Sequence, residues 1–596
     1  MRKLVYDIET NGLLPTVSKI HCIVAIDIDT EEEFVYSPYH KPIEEGLKLI
    51  QEAQQVSGFN NVDYDNEVIT KLYGITFPTE WEKNLDLMLL ARLKQPDIFG
   101  EDFGRKDFPR NLLGRHSLEA WGHRLGVYKG EFGKTTDWSE CTPEMVEYCI
   151  QDVRVTLALY RYLRPYDYSS EAIQLEHDVR RYISWQEREG VPFDTEKARE
   201  LYKQVKADYE AKWLSVKDMF PDKVTETTWV PKVNSTKFGY KKGVPTVKKE
   251  VVEFNPGSRQ QLIDYFKEKY KWEPVSFTPK GNPEIGYEVL EKLEFPEAKI
   301  IAELFDMKKL MGTLYDGDNG WLKMVKNHRI HGAVITNGCV SGRASHFKPN
   351  LGNIPNETAY KGKECRELFR SLDPDWCFVG GDAAAIQVRL LAHYLHFWDD
   401  GEYAHEAVHG DIHTKNMNAF GLSHRGTAKT VFFAMIFGAG AAKLGRTVEP
   451  TAGIERAEAI GKEIINNFKK NIPAYDKLLS TVKNALYQRG FVSGLDGRKL
   501  IPRSKHAGLC TLIQGAEAVV MKKALTLIHK EIKEQKLQCF PVLWCHDEAE
   551  LMAHISNANQ VAALIPKSII AAGEHFKLKV PMDGTGKIGN NWFEVH

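Results

Sequence analysis

A chain of 596 residues is too long for a single hydrophobic core, so several domains are expected. The hydrophobic share (43%) and charged share (27%) are those of a globular protein, and a net charge of -2 means that any polyanion must be met by local basic patches. Nine scattered cysteines with no Cys-x-x-Cys pair argue against a disulfide framework or structural zinc and for a reducing, cytoplasmic compartment.

The N-terminus enters a strand pattern with an acid almost at once, unlike a signal peptide. No apolar run reaches the roughly 18–20 residues of a bilayer span, so no membrane partner is expected. In the strand Leu4-Val5-Tyr6-Asp7-Ile8-Glu9-Thr10, period two puts Asp7 and Glu9 on one face. Asp65 stands just before a helical run from Glu67 to Leu72, and a helix over residues 144–153 puts Tyr148 and Asp152 on one face. Asp-x-Glu, then Asp, then Tyr-x-x-x-Asp resembles the DEDD exonucleases of the tyrosine subtype. That resemblance implies that Asp7, Glu9, Asp65 and Asp152 gather two Mg²⁺ about 3.5–4 Å apart, with Tyr148 orienting the attacking water. The run Arg105 to His116 reads as a basic loop suited to the single strand fed to such a site.

From Ala172 the pattern turns helical and charged, with a break at Gly190-Val191-Pro192. Trp229 to Gly243 carries lysines interleaved with Trp229, Phe238 and Tyr240 and holds no acid, so it reads either as a solvated loop or as a DNA-backbone contact. Ser258 is placed to cap the next helix.

Two further acids end strand-like runs: Asp382 after Trp376-Cys377-Phe378-Val379-Gly380-Gly381, and Asp547 at the tip of a hairpin from Phe540 to Met552. Two strand-end aspartates from distant segments suit a two-metal phosphoryl-transfer site. Between them a helix from Arg425 carries Arg425, Lys429 and Phe433 with a drift of only about 40° per step, so one face offers two cations and a ring. Such a face matches a nucleoside triphosphate.

These segments, with Asn337 to Ser345, Gly410-Asp411-Ile412-His413, Gly494 to Lys499 and Gln514-Gly515-Ala516, resemble the family A DNA polymerases, in particular the replicative polymerases of T-seven-type bacteriophages. The resemblance implies an α/β (α+β) multidomain chain: an exonuclease domain (1–165), connecting helices and thumb (166–330), palm (331–396), fingers (397–499) and the rest of the palm (500–596). It implies template-directed DNA synthesis with 3′→5′ proofreading in phage DNA replication, in a bacterial host cytoplasm. Asp382 and Asp547 would hold two Mg²⁺ (or Mn²⁺), with Glu548 an accessory acid near the primer end. His413, Arg425, Lys429, Phe433, Phe437 and Gln387 would bind the dNTP, and Lys429 would protonate the departing pyrophosphate. Arg343, Arg503, His506, Gln514 and His546 would contact primer-template DNA, Arg343 and Gln514 as minor-groove probes. Partners would be DNA, dNTPs and a replicative helicase-primase.

Four departures stand out. The acid usual in the motif after Asp382 is Gln387, and the tyrosine usual at the end of the fingers helix is Phe437. Together they remove a hydrogen bond that fixes the side chain excluding a ribose, so Gln387 is expected to be held less firmly. The insert Thr225 to Val252 looks too short to bind thioredoxin as T-seven-type enzymes do, and too few residues precede Asp7 for a 5′-nuclease domain. A nuclease with a mere DNA-binding platform would not need Asp382, Asp547 and Lys429, and a non-catalytic clamp would not need either acid cluster. RNA synthesis is disfavoured by the exonuclease motifs and by the bulk of Gln387.

Overall fold

The strand Ile20–Asp27 is buried along its whole length, because apolar layers cover both faces of the sheet around it. The structure, a computed structural model, describes residues 2–129, 133, 137–274, 277 and 281–596. The sheet runs in the order Glu33–Tyr36, Ile20–Asp27, Lys3–Thr10, Gln55–Gly58, Asn84–Asp86, antiparallel over the first three strands and parallel over the last three. Alternation along Lys3–Thr10 sends Leu4, Tyr6 and Ile8 into one layer. Val5 points into the other, where it meets Val146, Cys149 and Val153 of helix Pro143–Leu163. Asp7 and Glu9 share the Val5 face. That helix starts where the sequence demands: Thr142 caps the Met145 N–H and Pro143 fills the first position.

The residues Asp194–His328 and Pro355–Leu368 form a separate compact unit. Helices Thr195–Val216, Arg259–Tyr270 and Pro296–Met311 enclose Phe220, Leu262, Phe266 and Ile301, and Ser258 caps its helix as expected. The basic run from Trp229 differs from a plain loop. It is the tip of a two-stranded hairpin, Lys223–Trp229 with Thr246–Val252, because Trp229 and Tyr240 pack edge to face at 5.1 Å and close it.

The remaining unit holds Met1–Phe193, Arg329–Ile354 and Phe369–His596. Its second sheet runs Cys539–Cys545, Glu548–His554, Trp376–Asp382, Lys587–Gly589. Two glycines let its central strand fit. A Cβ on Gly380 would stand 1.9 Å from a Glu550 carboxylate oxygen, and one on Gly381 2.0 Å from the Thr585 carbonyl oxygen. Helices Gly508–Gln535 and Ala558–His575 bury Leu525 and Ile565 with Val379 and Leu551. Phe432 and Phe468, from helices Arg425–Ile436 and Ile454–Asn471, extend the same core. All nine cysteines are free. Among the described residues no helix is long and apolar enough to cross a membrane.

Candidate functional sites

The N-terminal acids converge on a cavity of about 970 Å³, lined by Asp7, Glu9, Asp65, Tyr148 and Asp152 together with Lys129. Asp65 opens helix Asp65–Tyr73 and accepts from the Ile8 N–H at 3.2 Å, which ties it to the strand carrying Asp7 and Glu9. Asp7, Glu9 and Cys149 bring ligand atoms within 4.8 Å of one another. Burial pushes the Cys149 thiol up, so it stays protonated beside Asp7 and is no ligand. Burial, then the charges of Asp65 and Glu9, raise Asp7 well above the carboxylate range. Burial and Asp152 push Glu9 up to about 8, and burial takes Asp65 to about 7. Carboxylates this crowded resist full ionisation unless a cation joins them. The donor set therefore fits a hard divalent ion, and the buried Asp152 Oδ1, with no hydrogen-bond partner among the described residues, is a candidate ligand atom.

Sequence reasoning missed Lys129. Its ammonium lies 2.5 Å from Asp152 Oδ2 and 4.8 Å from the Tyr148 ring centre. No spacing rule marks a lone lysine in a connecting segment. The loop from Arg105 is less basic than it reads, since burial lowers His116 to about 3 and leaves it neutral. Arg115 and His116 do line the cavity.

The second site sits at one end of the other sheet. Asp382 pairs with Glu548 across the strands, and the Ala383 N–H donates to the Asp547 carbonyl at 3.0 Å, so Asp382 and Asp547 end up side by side. The Thr585 hydroxyl donates to Asp382 Oδ1. His546 takes a positive φ of 56° to turn the hairpin, and its carbonyl accepts from the Trp544 indole at 2.9 Å. Burial, followed by the charges of Glu517, Asp382 and Glu548, raises Asp547 to about 6. Again the oxygen donors fit divalent cations.

Glu548, read from the sequence as an accessory acid near the primer end, is buried and held by partners from the end of the chain. It is 8% exposed and its Oε1 accepts from Trp592 Nε1 at 2.6 Å and faces His596 Nδ1 at 2.9 Å. Burial would raise it, but these hydrogen bonds hold it at about 2. The register explains this, because Asp547 sits in the turn while Glu548 is already the first residue of the next strand.

Helix Arg425–Ile436 presents Arg425 and Lys429 to solvent with Phe433 half-buried, as its spacing predicts. The Arg425 guanidinium grips Asp411 through two hydrogen bonds (2.8 and 2.9 Å) and holds that carboxyl well below the usual range. Asp411 also caps the helix of His413, whose ring stands 6.1 Å from Phe433. Burial, then the Lys429 and Arg425 charges, lower His413. Phe437 stacks on Phe433 at 6.4 Å, and the Arg343 guanidinium lies 5.9 Å over Phe437.

Gln387 corrects the expectation of a loosely held side chain. Its Nε2 donates to Glu517 Oε2 at 2.9 Å, and Arg343 Nη2 reaches the same oxygen at 2.5 Å. Gln514, one turn before Glu517, is partly buried. Arg503 is ion-paired with Asp97 at 2.7 Å, and His506 is exposed.

An antiparallel sheet with aspartates at its strand ends, backed by two helices and joined to a helix bearing cations, is the right-hand polymerase class of fold. The chain belongs to DNA polymerase family A, whose family model matches residues 240–594. It is 32% identical to the DNA-directed DNA polymerase of Enterobacteria phage T3 and 32% identical to that of Escherichia phage T7, over all of this chain and all of each relative. Its fold is similar to the POL domain of Pol1 from M. smegmatis, solved with DNA primer-template and dNTP, at a TM-score of 0.73 and 17% identity, covering 100% of this chain and 96% of that one.

Proposed function

We propose that this chain is a template-directed DNA polymerase with a separate 3′→5′ exonuclease site. The observation that carries the reading is the placement of Asp382 and Asp547 side by side at one end of the sheet, in a chain similar over its full length to two DNA-directed DNA polymerases. Asp382 and Asp547 would hold one pair of Mg²⁺ ions, and Asp7, Glu9, Asp65 and Asp152 a second. When bound, such ions supply charge neutralisation and lower the pKa of the attacking hydroxyl or water.

The chain's own residues do the rest. Arg425, Lys429 and His413 bind the triphosphate, and Phe433 and Phe437 support base and sugar. Lys429 gives a proton to the departing pyrophosphate. Arg343, Gln514, His546, Arg503 and His506 hold the primer end, Arg503 after releasing Asp97. In the other cavity Tyr148 orients water against a frayed 3′ end fed past Arg115. The layout is exonuclease domain 1–165, thumb region 166–330, palm 331–396 and 500–596, and fingers 397–499. The hairpin Lys223–Val252 tracks DNA through its lysines and needs no thioredoxin, while a helicase-primase opens the duplex ahead. Primer extension with dNTPs and then rNTPs, with and without Mg²⁺, tests the reading. Failure to extend with dNTPs and Mg²⁺ overturns it.

A further inference from the structure

Glu517 touches Gln387 directly, although it belongs to neither acid cluster. It is completely buried on helix Gly508–Gln535, three positions after Gln514 and so on the same face. One of its oxygens carries two donors from distant segments: Arg343 Nη2 at 2.5 Å and Gln387 Nε2 at 2.9 Å. Among the described residues its other oxygen is buried without a hydrogen-bond partner, as is Arg343 Nε. A buried carboxyl group needs donors for its oxygens. Arg343 supplies a charged one, and the amide of Gln387 supplies a neutral donor that a carboxylate at position 387 could not. The acid absent from position 387 is thus present in space, on another helix.

This arrangement has a mechanical consequence. A glutamine free to swing would be a poor wall against a sugar, because its rotamers are many. With Nε2 anchored on a fully buried acid, Gln387 has one place to stand. Arg343 shares the same oxygen and lies over Phe437, so the wall, the ring and the minor-groove probe are braced at one point.

We propose that Glu517 is the positioning residue for ribose discrimination: it fixes Gln387 against the incoming sugar and couples that wall to Arg343 at the primer end. This rests on the reading of Gln387 and Arg343 as pocket residues. Discrimination is the ratio of kcat/KM for a dNTP to that for the matching rNTP, and a merely structural role would lower both values and leave the ratio unmoved. Glu517→Gln, which keeps the shape but removes the charge and the paired acceptor, should lower the ratio about ten-fold. Gln387→Glu alone, setting two carboxylates against one Arg343, should lower kcat for dNTPs. The exchange Gln387→Glu with Glu517→Gln restores one acid and one amide and should recover most of the ratio.

Gln387→Ala is the control for the pocket itself. If it lowers the ratio while Glu517→Gln does not, Glu517 has no positioning role and the pocket reading stands. If Gln387→Ala leaves the ratio unchanged, the pocket reading is wrong and this proposal falls with it. Should Glu517→Gln fail to fold, the exchange variant decides. A folded exchange protein that discriminates no better than Gln387→Glu overturns the proposal.

Discussion

Lys129 and Asp152 form an ion pair at 2.5 Å inside the N-terminal carboxylate cavity, where the same ammonium lies 4.8 Å from the ring of Tyr148. Among the described residues this lysine is the cation that pulls Asp7, Glu9 and Asp152 down, against burial and mutual repulsion that push them up. Removing it leaves those acids harder to ionise. Lys129→Met should therefore move the acid limb of single-strand degradation to higher pH, above the span of about 7 to about 8 set by Asp65 and Glu9. Primer extension should be unaffected. Degradation rates across a pH series check this, and an unmoved acid limb contradicts it.

The two acid clusters belong to different sheets, so their activities should separate. Asp7→Ala with Glu9→Ala should abolish degradation from the 3′ end and leave extension within about two-fold, as expected for distant, independent sites. Asp547→Ala should do the reverse, at a cost to extension of about 10³-fold or more, the scale of losing a principal electrostatic group. Both assays on both folded proteins decide it. Loss of both activities from either change contradicts a two-site enzyme.

The raised acids also link metal binding, pH and stability. Glu9 is held at about 8 and Asp65 at about 7, both above their unfolded values. A carboxyl with a raised folded pKa adds stability in its protonated form. That stability is full below the unfolded value of about 4 and is lost as pH rises through 7 to 8. Without divalent ions the protein should therefore be less stable at pH 8 than at pH 6 through these groups. Mg²⁺ competes with those protons, so the rise in Tm it causes should be larger at pH 8. At a hundred times Kd the gain is about 2.7 kcal/mol per site. Thermal scans with EDTA and with Mg²⁺ at both pH values measure it. Asp7→Ala with Glu9→Ala should remove most of the difference.

What was legible in the sequence was local. Period two along Leu4 to Thr10 places Asp7 and Glu9 on one face, and the helical step from Arg425 to Phe433 places two cations and a ring on another. Both follow from backbone geometry alone. The hairpin around Asp547 was readable because an apolar run breaks at polar residues. Glu517 was not readable, since its bond to Gln387 joins positions 130 apart through the packing of two helices. Nor was the fate of Glu548, which depends on Trp592 and His596 returning from the end of the chain. Lys129 was hidden for the same reason, since a lone lysine has no periodicity.

Phe433 should govern the use of chain terminators. Its ring is half-buried between His413 at 6.1 Å and Phe437 at 6.4 Å, on the helix face that also carries Lys429. A hydroxyl added at the ring edge would stand in for the sugar's own 3′-OH when a dideoxynucleotide lacks it. Phe433→Tyr should raise ddNTP incorporation relative to dNTP by about ten-fold, the worth of one hydrogen bond. Competition of ddTTP with dTTP on a primed template reads this ratio. Equal ratios for both proteins would place the sugar elsewhere.

The last expectation concerns a buried charge network that touches neither site. Glu176, on helix Ser170–Glu189, receives Lys522 Nζ at 2.5 Å and Arg498 Nη1 at 2.9 Å on one oxygen, and all three side chains are almost wholly buried. Arg498 is also paired with Asp496 at 2.7 Å, so two acids face two bases. Burial would raise Glu176, but the Lys522 and Arg498 charges win and hold it below its usual value. A depressed acid contributes stability that is present above the unfolded value and lost as pH falls through the folded one. Glu176→Ala leaves Lys522 buried without its ion-pair partner, and breaking such a pair costs about 3–5 kcal/mol. Lys522→Met in the Glu176→Leu background replaces both charges by apolar groups of similar length and should recover most of that loss, because a well-packed apolar pair is often as stable as a buried ion pair. Thermal unfolding of the three proteins tests both steps, with catalytic assays at low temperature showing that the sites persist. If Glu176→Ala melts with the parent, water reaches this network and the charges are not held by burial.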